Sequence, residues 1–244
     1  MDLKNLQKNW DQFAQTDPLW ASLTSPDKKG NKWQIEKFFK SGEVEIRSII
    51  DYVKSLGVSL SRTRALDFGC GPGRLTEALA DYFDEVHGVD IAPGMIEFAN
   101  SHSKHKSRCK YHVNNDDNLK IFPDNFFDLI YSNITLQHME VRYSKRYIKE
   151  FTRIISPGGL IIFQLPSRPR KTLIKLIKSL LPDYLVNLYY GMKHGQRPRM
   201  EAYGIKYEEL KEFVEKNGAT LIDAKQNQAA GKNWISYQYC FRKR

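Results

Sequence analysis

The first quarter of the chain carries hydrophobic residues at helical spacing. Between Trp33 and Leu56 apolar positions recur every three or four residues, which predicts a helix with Gly57 as its C-cap. An earlier segment with Trp10 and Phe13 on one face has the same spacing until Asp17-Pro18 interrupts it. Residues 1–57 are therefore predicted to form an N-terminal helical segment.

After residue 58 short apolar runs alternate with helical segments. A short apolar run bounded by turn residues is typical of a buried strand. Strands that alternate with helices form a parallel sheet covered by helices on both faces. The predicted strands are Ala65–Phe68, Val86–Asp90, Lys110–Asn114, Phe127–Ser132 and Leu160–Leu165, and the predicted helices are Gly73–Phe83, Pro93–Ser101 and Arg142–Ile154.

The alternation stops at Pro166 and resumes near residue 206. Residues 167–205 show no obvious strand and contain Leu/Ile/Lys-rich segments, which predicts a helical insertion. A helix over Tyr207–Asn217 and strands over Thr220–Gln226 and Trp234–Phe241 then predict a C-terminal helix and an antiparallel strand pair in 206–244. The whole chain, 1–244, is predicted to be one α/β domain with a doubly wound, seven-stranded, mostly parallel sheet.

Composition narrows the class of protein. The 244 residues are 41% hydrophobic and 27% charged, which is ordinary for a globular protein. The net charge of +10 favours anionic partners such as nucleic acid, phosphorylated or carboxylated molecules, or an acidic membrane surface. No apolar run approaches the roughly 18 residues of a membrane span, and the N-terminus lacks the apolar stretch of a signal peptide. We therefore expect a cytoplasmic protein.

The cysteines do not predict a metal site. There are three, Cys70, Cys109 and Cys240, at wide spacing. An odd, dispersed set supports neither a disulfide framework nor a zinc site. No metal is expected.

A glycine-rich turn follows the first predicted strand. Asp67 ends the strand, and Gly69, Gly71 and Gly73 follow at alternate positions before a helix begins. Glycine lets the backbone turn tightly and approach a ligand closely, and such turns hold nucleotide-like cofactors in α/β proteins. The spacing G-x-G-x-G differs from the G-x-G-x-x-G that a dinucleotide site requires.

Acidic residues also end the next two strands. Asp90 lies about 20 residues past the glycine turn, where a carboxylate can accept both hydroxyls of a ribose. Asp116, with Asp117 beside it, follows the third strand and can accept from the exocyclic amine of an adenine. Since carboxyl ends of parallel strands share one edge, these acids line one crevice with Asp67. The alternative for each is the common role of Asp as a helix N-cap.

Together these motifs resemble those of the class I S-adenosylmethionine-dependent methyltransferases, of the type 11/12 small-molecule kind. The first signature is Asp67–Gly73, and the second is Val89–Met95. The third resembles Asn115–Asp117, with Asn115 where the family usually has Gly. The segment after strand four and the late turn also match, and the resemblance covers about residues 33–165, with matching topology in 207–241.

The resemblance implies a Rossmann-like fold in which residues 58–166 bind S-adenosyl-L-methionine and release S-adenosyl-L-homocysteine. It implies that Asp67 and the glycine loop hold the methionine part, that Asp90 binds the ribose, and that Asn133 contacts the amino-acid end. The implied cofactor-binding residues are Asp67, Gly69, Cys70, Gly71, Gly73, Arg74, Asp90, Ile91, Met95, Asp116, Asp117 and Asn133.

The implied chemistry needs one further group. A sulfonium is already an activated methyl donor, so the protein mainly aligns the reacting atoms. An oxygen nucleophile must also lose its proton, and a positioned histidine is the usual base. His138 follows strand four and is the candidate general base; the alternative is that it packs against or caps the next helix.

The insertion 167–205 is expected to form a lid over the acceptor, as in similar methyltransferases. Gln137, Arg199 and Tyr203 are candidates for contact with a small acceptor, and an arginine there would suit an anionic one. A face of regularly spaced lysines over 170–181 leaves contact with a membrane surface as an alternative.

We predict methyl transfer to an oxygen or nitrogen atom of a small molecule. Methylation of transfer or ribosomal RNA is supported by charge alone. The Asn/Asp-Pro-Pro-Tyr/Phe motif of similar nucleic-acid amino-methylases is absent where Ser132–Thr135 stands. A nucleotide-dependent oxidoreductase and a non-catalytic cofactor-binding scaffold are the remaining alternatives.

Overall fold

Strands and helices alternate along most of the described chain. The structure, a computed structural model, describes residues 1–170 and 200–244. The strands are β1 (Arg64–Phe68), β2 (Glu85–Asp90), β3 (Cys109–Val113), β4 (Phe127–Ser132), β5 (Ile155–Pro169), β6 (Ala219–Asn227) and β7 (Trp234–Lys243); the helices are α1 (Leu3–Thr16), α2 (Pro18–Ser22), α3 (Ile35–Ser55), α4 (Arg74–Leu79), α5 (Pro93–His102), α6 (Val141–Ile154) and α7 (Tyr207–Lys216).

The seven strands form one sheet in the order β3-β2-β1-β4-β5-β7-β6. The first five strands run parallel, and β7 pairs antiparallel with both β5 and β6. The predicted mostly parallel sheet with a C-terminal antiparallel strand is thus confirmed. The strand order reverses beside β1, between β2 and β4, and such a point in an open α/β sheet leaves a crevice at the carboxyl ends of the strands.

Two cores cover the two faces of the sheet. Alternate residues of a strand point to opposite faces, so Ile130 enters one core and Leu129 the other. The first core packs β1, β4 and β5 against α6 and α7, and includes Phe68 and Phe151. The second packs the sheet against α3 and α4, and includes Ile46.

The N-terminal segment is attached to the sheet's carboxyl edge through polar contacts. Gln7 in α1 donates from Nε2 to the carbonyl of Ile91 at 3.1 Å. The backbone N–H of Gly94 donates to Oδ1 of Asp11 at 2.9 Å. Helix α1 therefore lies over the β2–α5 connection, where a crevice is expected.

Several element boundaries differ from the predictions, most of all in α4 and β5, and β5 already begins at Ile155 instead of Leu160. Helix α4 ends at Leu79 instead of Phe83, since the N–H of Tyr82 turns back to the carbonyl of Leu79. Strand β5 continues past Leu165 to Pro169, and an irregularity in its pairing with β7 between Pro166 and Arg168 accommodates the proline, which lacks an N–H. The predicted helical insertion falls mostly in 171–199, outside the described residues.

Within 1–170 and 200–244 none of the helices has the length and hydrophobicity of a membrane span.

Candidate functional site

A cleft opens at the carboxyl ends of β1, β2 and β4, beneath α1 and α2. About 730 Å³ of space lies between its walls and the open solvent at its mouth. Its walls combine glycine backbone, a few polar groups and many apolar side chains. The lining residues are Leu3, Leu6, Trp10, Ala21, Ser22, Phe68, Gly69, Gly71, Val89, Asp90, Ile91, Met95, Asn114, Asn133, Ile134, Thr135, His138, Met139 and Tyr147.

Two glycines of the predicted loop face the cleft at positions that exclude a side chain. Gly69 has φ +79°, and a Cβ atom there would collide with the side chain of Thr135. Gly71 has φ +51°, and its Cβ would lie 2.7 Å from Oγ of Ser22. The left-handed backbone and the close approach both require glycine, which leaves peptide surface for a ligand to contact.

Asp90 faces the cleft from the end of β2. Its Oδ2 accepts from the N–H of Gly71 at 2.9 Å, and its Oδ1 accepts from the N–H of Ala92 at 2.9 Å. Burial raises the pKa of this carboxyl, and the two backbone donors oppose the rise. Each carboxylate oxygen accepts about two hydrogen bonds, so capacity remains for a ligand's hydroxyl groups.

Asp67, the penultimate residue of β1, has one carboxylate oxygen without a hydrogen-bond partner in the described chain. The residue is 1% exposed, and Oδ2 accepts from Oγ1 of Thr76 at 2.7 Å. Oδ1 is buried and has no hydrogen-bond partner among the described residues. Burial raises the pKa of this carboxyl to about 7. A buried acceptor without a partner is costly. Asp67 is not among the described residues that line the cleft.

Arg74 and Asn133 meet at a carboxylate that sequence analysis missed. Glu45 in α3 accepts from Nη2 of Arg74 at 2.8 Å and from Nδ2 of Asn133 at 2.7 Å. It also accepts from the hydroxyl of Tyr131 at 2.8 Å. Arg74 is thus held to α3 and does not line the cleft, whereas Asn133 does. The sequence signal that could have pointed to Glu45 was its position directly before Ile46, an apolar residue that is buried in the core.

At the end of β3 the structure brings Asn114 to the cleft. Asn114 is buried, and its Nδ2 donates to the carbonyls of Asp116 and Asn118, each at 3.1 Å. The side chain of Asp116 is exposed, and Asp117 pairs with Arg146. Neither acid is among the described residues that line the cleft. An asparagine two residues before the acid was the overlooked signal.

His138 lies in the cleft wall after β4, and its two ring nitrogens contact different groups. Nδ1 lies 2.6 Å from the carbonyl oxygen of Glu201, and Nε2 lies 3.1 Å from Nε2 of Gln137. Burial lowers the pKa of this imidazole, which favours the neutral ring. The indole of Trp10 packs edge-on against it at 5.3 Å between ring centroids.

The predicted acceptor contacts lie behind His138 or outside the described chain. Gln137 is 5% exposed, and its backbone carbonyl accepts from the N–H of Tyr203 at 2.7 Å. The hydroxyl of Tyr203 donates to Oε2 of Glu201 at 2.6 Å. Neither Gln137 nor Tyr203 is among the cleft-lining residues of the described chain. Arg199 and the lysines of 171–181 lie outside the described residues.

The structure also locates the other predicted cofactor-binding residues. Ile91 and Met95 line the cleft, and Gly73 has φ +85° at the N-cap of α4. Cys70 is buried, and burial raises the pKa of its thiol. The part of the chain that the structure describes contains no group of His, Cys, Asp and Glu side chains that could hold a metal ion.

The chain is similar to known methyltransferases in sequence. Residues 66–163 match the family described as a methyltransferase domain. A ubiquinone biosynthesis O-methyltransferase from Coxiella burnetii is 30% identical over 166 residues, which cover 68% of this chain and 67% of that protein. Phosphoethanolamine N-methyltransferase 3 from Arabidopsis thaliana is 27% identical over 175 residues, which cover 63% and 34%.

Solved structures share the fold at low identity. The magnesium protoporphyrin IX methyltransferase from Synechocystis, crystallised with bound S-adenosylhomocysteine, aligns over 100% of both chains with a TM-score of 0.67 and 16% identity. A phosphoethanolamine N-methyltransferase from Haemonchus contortus aligns over 81% of this chain and 52% of its own, with a TM-score of 0.57 and 19% identity.

Proposed function

The chain belongs to the class I S-adenosylmethionine-dependent methyltransferases, and on that premise we propose that it methylates a hydroxyl oxygen of a small, largely apolar molecule, with His138 as the proton acceptor. The observation that carries the proposal is the position of the His138 imidazole, whose pKa burial lowers, in the wall of the cleft that also contains the glycine loop and Asp90.

S-adenosylmethionine is the methyl donor of this family, and when bound it supplies an activated methyl group on a positively charged sulfur. The lining residues fit this cofactor. Gly69 and Gly71 offer close backbone contact, and Asp90 offers carboxylate oxygens for a ribose. Asp67 lies behind this lining, with its unpaired Oδ1 buried. Ile91 and Met95 supply apolar surface for an adenine.

The region around His138 supports an uncharged, apolar acceptor. Leu3, Leu6 and Trp10 form one wall there, and Met139 follows His138 in the lining. Apolar walls exclude water, which otherwise competes as a nucleophile and weakens the interactions that orient the acceptor. As the acceptor's oxygen attacks, its proton moves to the unprotonated ring nitrogen of His138, so no charged alkoxide has to form in an apolar site. The similarity to an O-methyltransferase of ubiquinone biosynthesis supports an oxygen acceptor.

Calorimetric titration and a transfer assay test this proposal. S-adenosylmethionine and S-adenosylhomocysteine are expected to bind, and methyl-labelled cofactor is then offered with a panel of phenols, aliphatic alcohols and amines. We expect transfer to a hydroxyl compound, and His138→Ala is expected to lower kcat by about a hundredfold or more while cofactor binding is retained.

His105→Ala is the matched control, because His105 lies in a polar loop beside Asp81. Its turnover should equal that of the unsubstituted protein. Transfer to amines alone, or full turnover by His138→Ala, would contradict the proposal.

A further inference from the structure

A chain of buried amides runs from the sheet to His138. The backbone N–H of Ile134 donates to Oε1 of Gln164 in β5 at 3.2 Å. Nε2 of Gln164 donates to Oε1 of Gln137 at 3.1 Å and to Oγ of Ser236 in β7 at 2.6 Å. Nε2 of Gln137 then meets Nε2 of His138 at 3.1 Å. We call Ile134, Gln164, Gln137 and His138 the amide chain.

The direction of every hydrogen bond in the amide chain follows from its first member. A backbone N–H only donates, so the atom of Gln164 that faces Ile134 must be the carbonyl oxygen. The other end of that amide is then the NH₂ group, which must face the carbonyl oxygen of Gln137. The NH₂ group of Gln137 is thereby left facing Nε2 of His138, and this nitrogen must accept.

The contact at Nδ1, on the opposite side of the imidazole, independently indicates the same tautomer. The carbonyl oxygen of Glu201 only accepts, so Nδ1 of His138 must carry the hydrogen. In a neutral imidazole one ring nitrogen donates and the other accepts. Contacts from two separate parts of the chain thus specify one tautomer.

The side chains that fix the tautomer of His138 are well buried. Gln164 is 2% exposed, Gln137 5% and Ser236 0%. A buried amide that points the wrong way leaves two polar groups unsatisfied, at a cost that exceeds the value of an ordinary hydrogen bond. The reversed orientation of either glutamine is therefore strongly disfavoured.

Charged groups near His138 are already paired with other residues. Oε2 of Glu201 accepts from the hydroxyl of Tyr203 at 2.6 Å, and Oε2 of Glu140 pairs with Nε of Arg142 at 2.9 Å. Burial is the main influence on the imidazole, and the bond to the Glu201 carbonyl opposes it. The protonation state of the His138 ring therefore depends on burial and on hydrogen bonds to uncharged groups.

We propose that Gln164 and Gln137 are positioning residues that hold His138 as the Nδ1–H tautomer, with the one electron pair of Nε2 accepting from the Gln137 amide. The proposal deepens the proposed function, because Nε2 is then the ring nitrogen that receives the acceptor's proton once the acceptor's hydroxyl replaces the Gln137 amide as its hydrogen-bond donor. Gln164 acts through Gln137 at a distance from the cleft lining and has no direct role in binding.

Gln164→Glu tests the proposal with little change in side-chain size. A carboxylate keeps the bond from Ile134 but has no hydrogen to give Gln137, so the Gln137 amide must turn over. Its oxygen then faces Nε2 of His138 and favours a proton there, while Nδ1 stays protonated. The charged imidazole is thereby favoured, and its pKa should rise by about 1 to 2 pH units, as expected for a hydrogen bond to a charged group.

Nitrogen-15 NMR of histidine-labelled protein measures both tautomer and pKa without any acceptor molecule. In the unsubstituted protein we expect a neutral His138 with hydrogen on Nδ1. In Gln164→Glu we expect a raised pKa for His138 and unchanged affinity for S-adenosylhomocysteine. Hydrogen on Nε2 in the unsubstituted protein, or an unchanged pKa in the variant, would overturn the proposal.

Gln226→Glu is the matched control, since Gln226 is an exposed strand residue in β6; the pKa of His138 should not move. The tautomer measurement on the unsubstituted protein needs no variant and decides the matter if Gln164→Glu does not fold. The expected tautomer together with full turnover by His138→Ala would keep the amide chain and reject the proposed function, so the two failures are distinguishable.

Discussion

The two sides of the cleft are built in different ways. On the glycine-loop side, Gly69 and Gly71 follow the end of β1, Asp90 ends β2 about 20 residues later, and backbone N–H groups orient its carboxylate. On the opposite side, Trp10, His138 and the amide chain come together from α1, the β4–α6 connection and β5. The first side depends on local backbone geometry, whereas the second depends on single side chains that meet only in the folded protein.

The difference has a physical consequence for substitutions. A backbone-built site fails when the chain cannot adopt the required φ angle or when a side chain fills the space. A site built from side chains keeps its shape after a conservative change but loses the direction of its hydrogen bonds. Predictions for the two sides therefore concern different measurable quantities.

The largest effect is expected from Gly71→Arg. The substitution places a non-glycine residue at φ +51° and drives a side chain towards Oγ of Ser22 in the cleft. Calorimetry should detect no binding of S-adenosylmethionine. Gly231→Arg is the matched control, because Gly231 has φ +80° and a Cβ added there would meet no atom within 4 Å. Equal binding by both variants would show that the glycine loop does not hold the cofactor.

Asp67 is expected to give the protein a pH-dependent stability. Its pKa is about 7 in the folded chain and about 3.9 when unfolded, so the folded state holds more protons between these values. The free energy of unfolding should therefore fall as pH rises from 4 to 7, by up to about 1.4 kcal/mol per pH unit from this residue. Denaturant titrations of the unsubstituted protein and Asp67→Asn should differ by this slope.

His87 in β2 opposes this slope. Burial lowers its pKa to about 4, so the unfolded state holds more protons between pH 4 and 6.5, and stability from this residue rises with pH there. The difference between Asp67→Asn and the unsubstituted protein isolates the aspartate. An identical pH profile for both proteins would mean that Asp67 ionises normally.

The smallest expected effect is a difference in S-adenosylhomocysteine binding between substitutions of Asn114 and Asp116. Asn114 lines the cleft, whereas the side chain of Asp116 is exposed. Asn114→Ala removes two hydrogen bonds to backbone carbonyls and should weaken binding of S-adenosylhomocysteine about tenfold. Asp116→Asn should change the dissociation constant less than twofold. The reverse ranking would support the contact between Asp116 and adenine that the motif pattern predicts.

Sequence reasoning predicted the sheet because each strand is a short apolar run, and alternate residues such as Leu129 and Ile130 fill two separate cores. The glycine loop could also be predicted from the sequence, because its positive φ angles strongly favour glycine. The contacts of Gln164 and Glu45 could not be predicted from the sequence. Each is a single polar residue within an otherwise ordinary strand or helix, and its partners lie 27 or more residues away.

The carboxylate of Glu45 also limits how small a working version of this enzyme can be made. The family match spans residues 66–163 and includes the glycine loop, but it does not include α3. A fragment cut to that span would keep Arg74, which is 6% exposed, without the carboxylate that neutralises it. The same cut would expose the apolar side chains of Leu75 and Leu79 in α4, which share a core with Ile46 and Ile50 of α3. The recognisable motif is therefore not a portable module and must be transplanted together with the helix that precedes it.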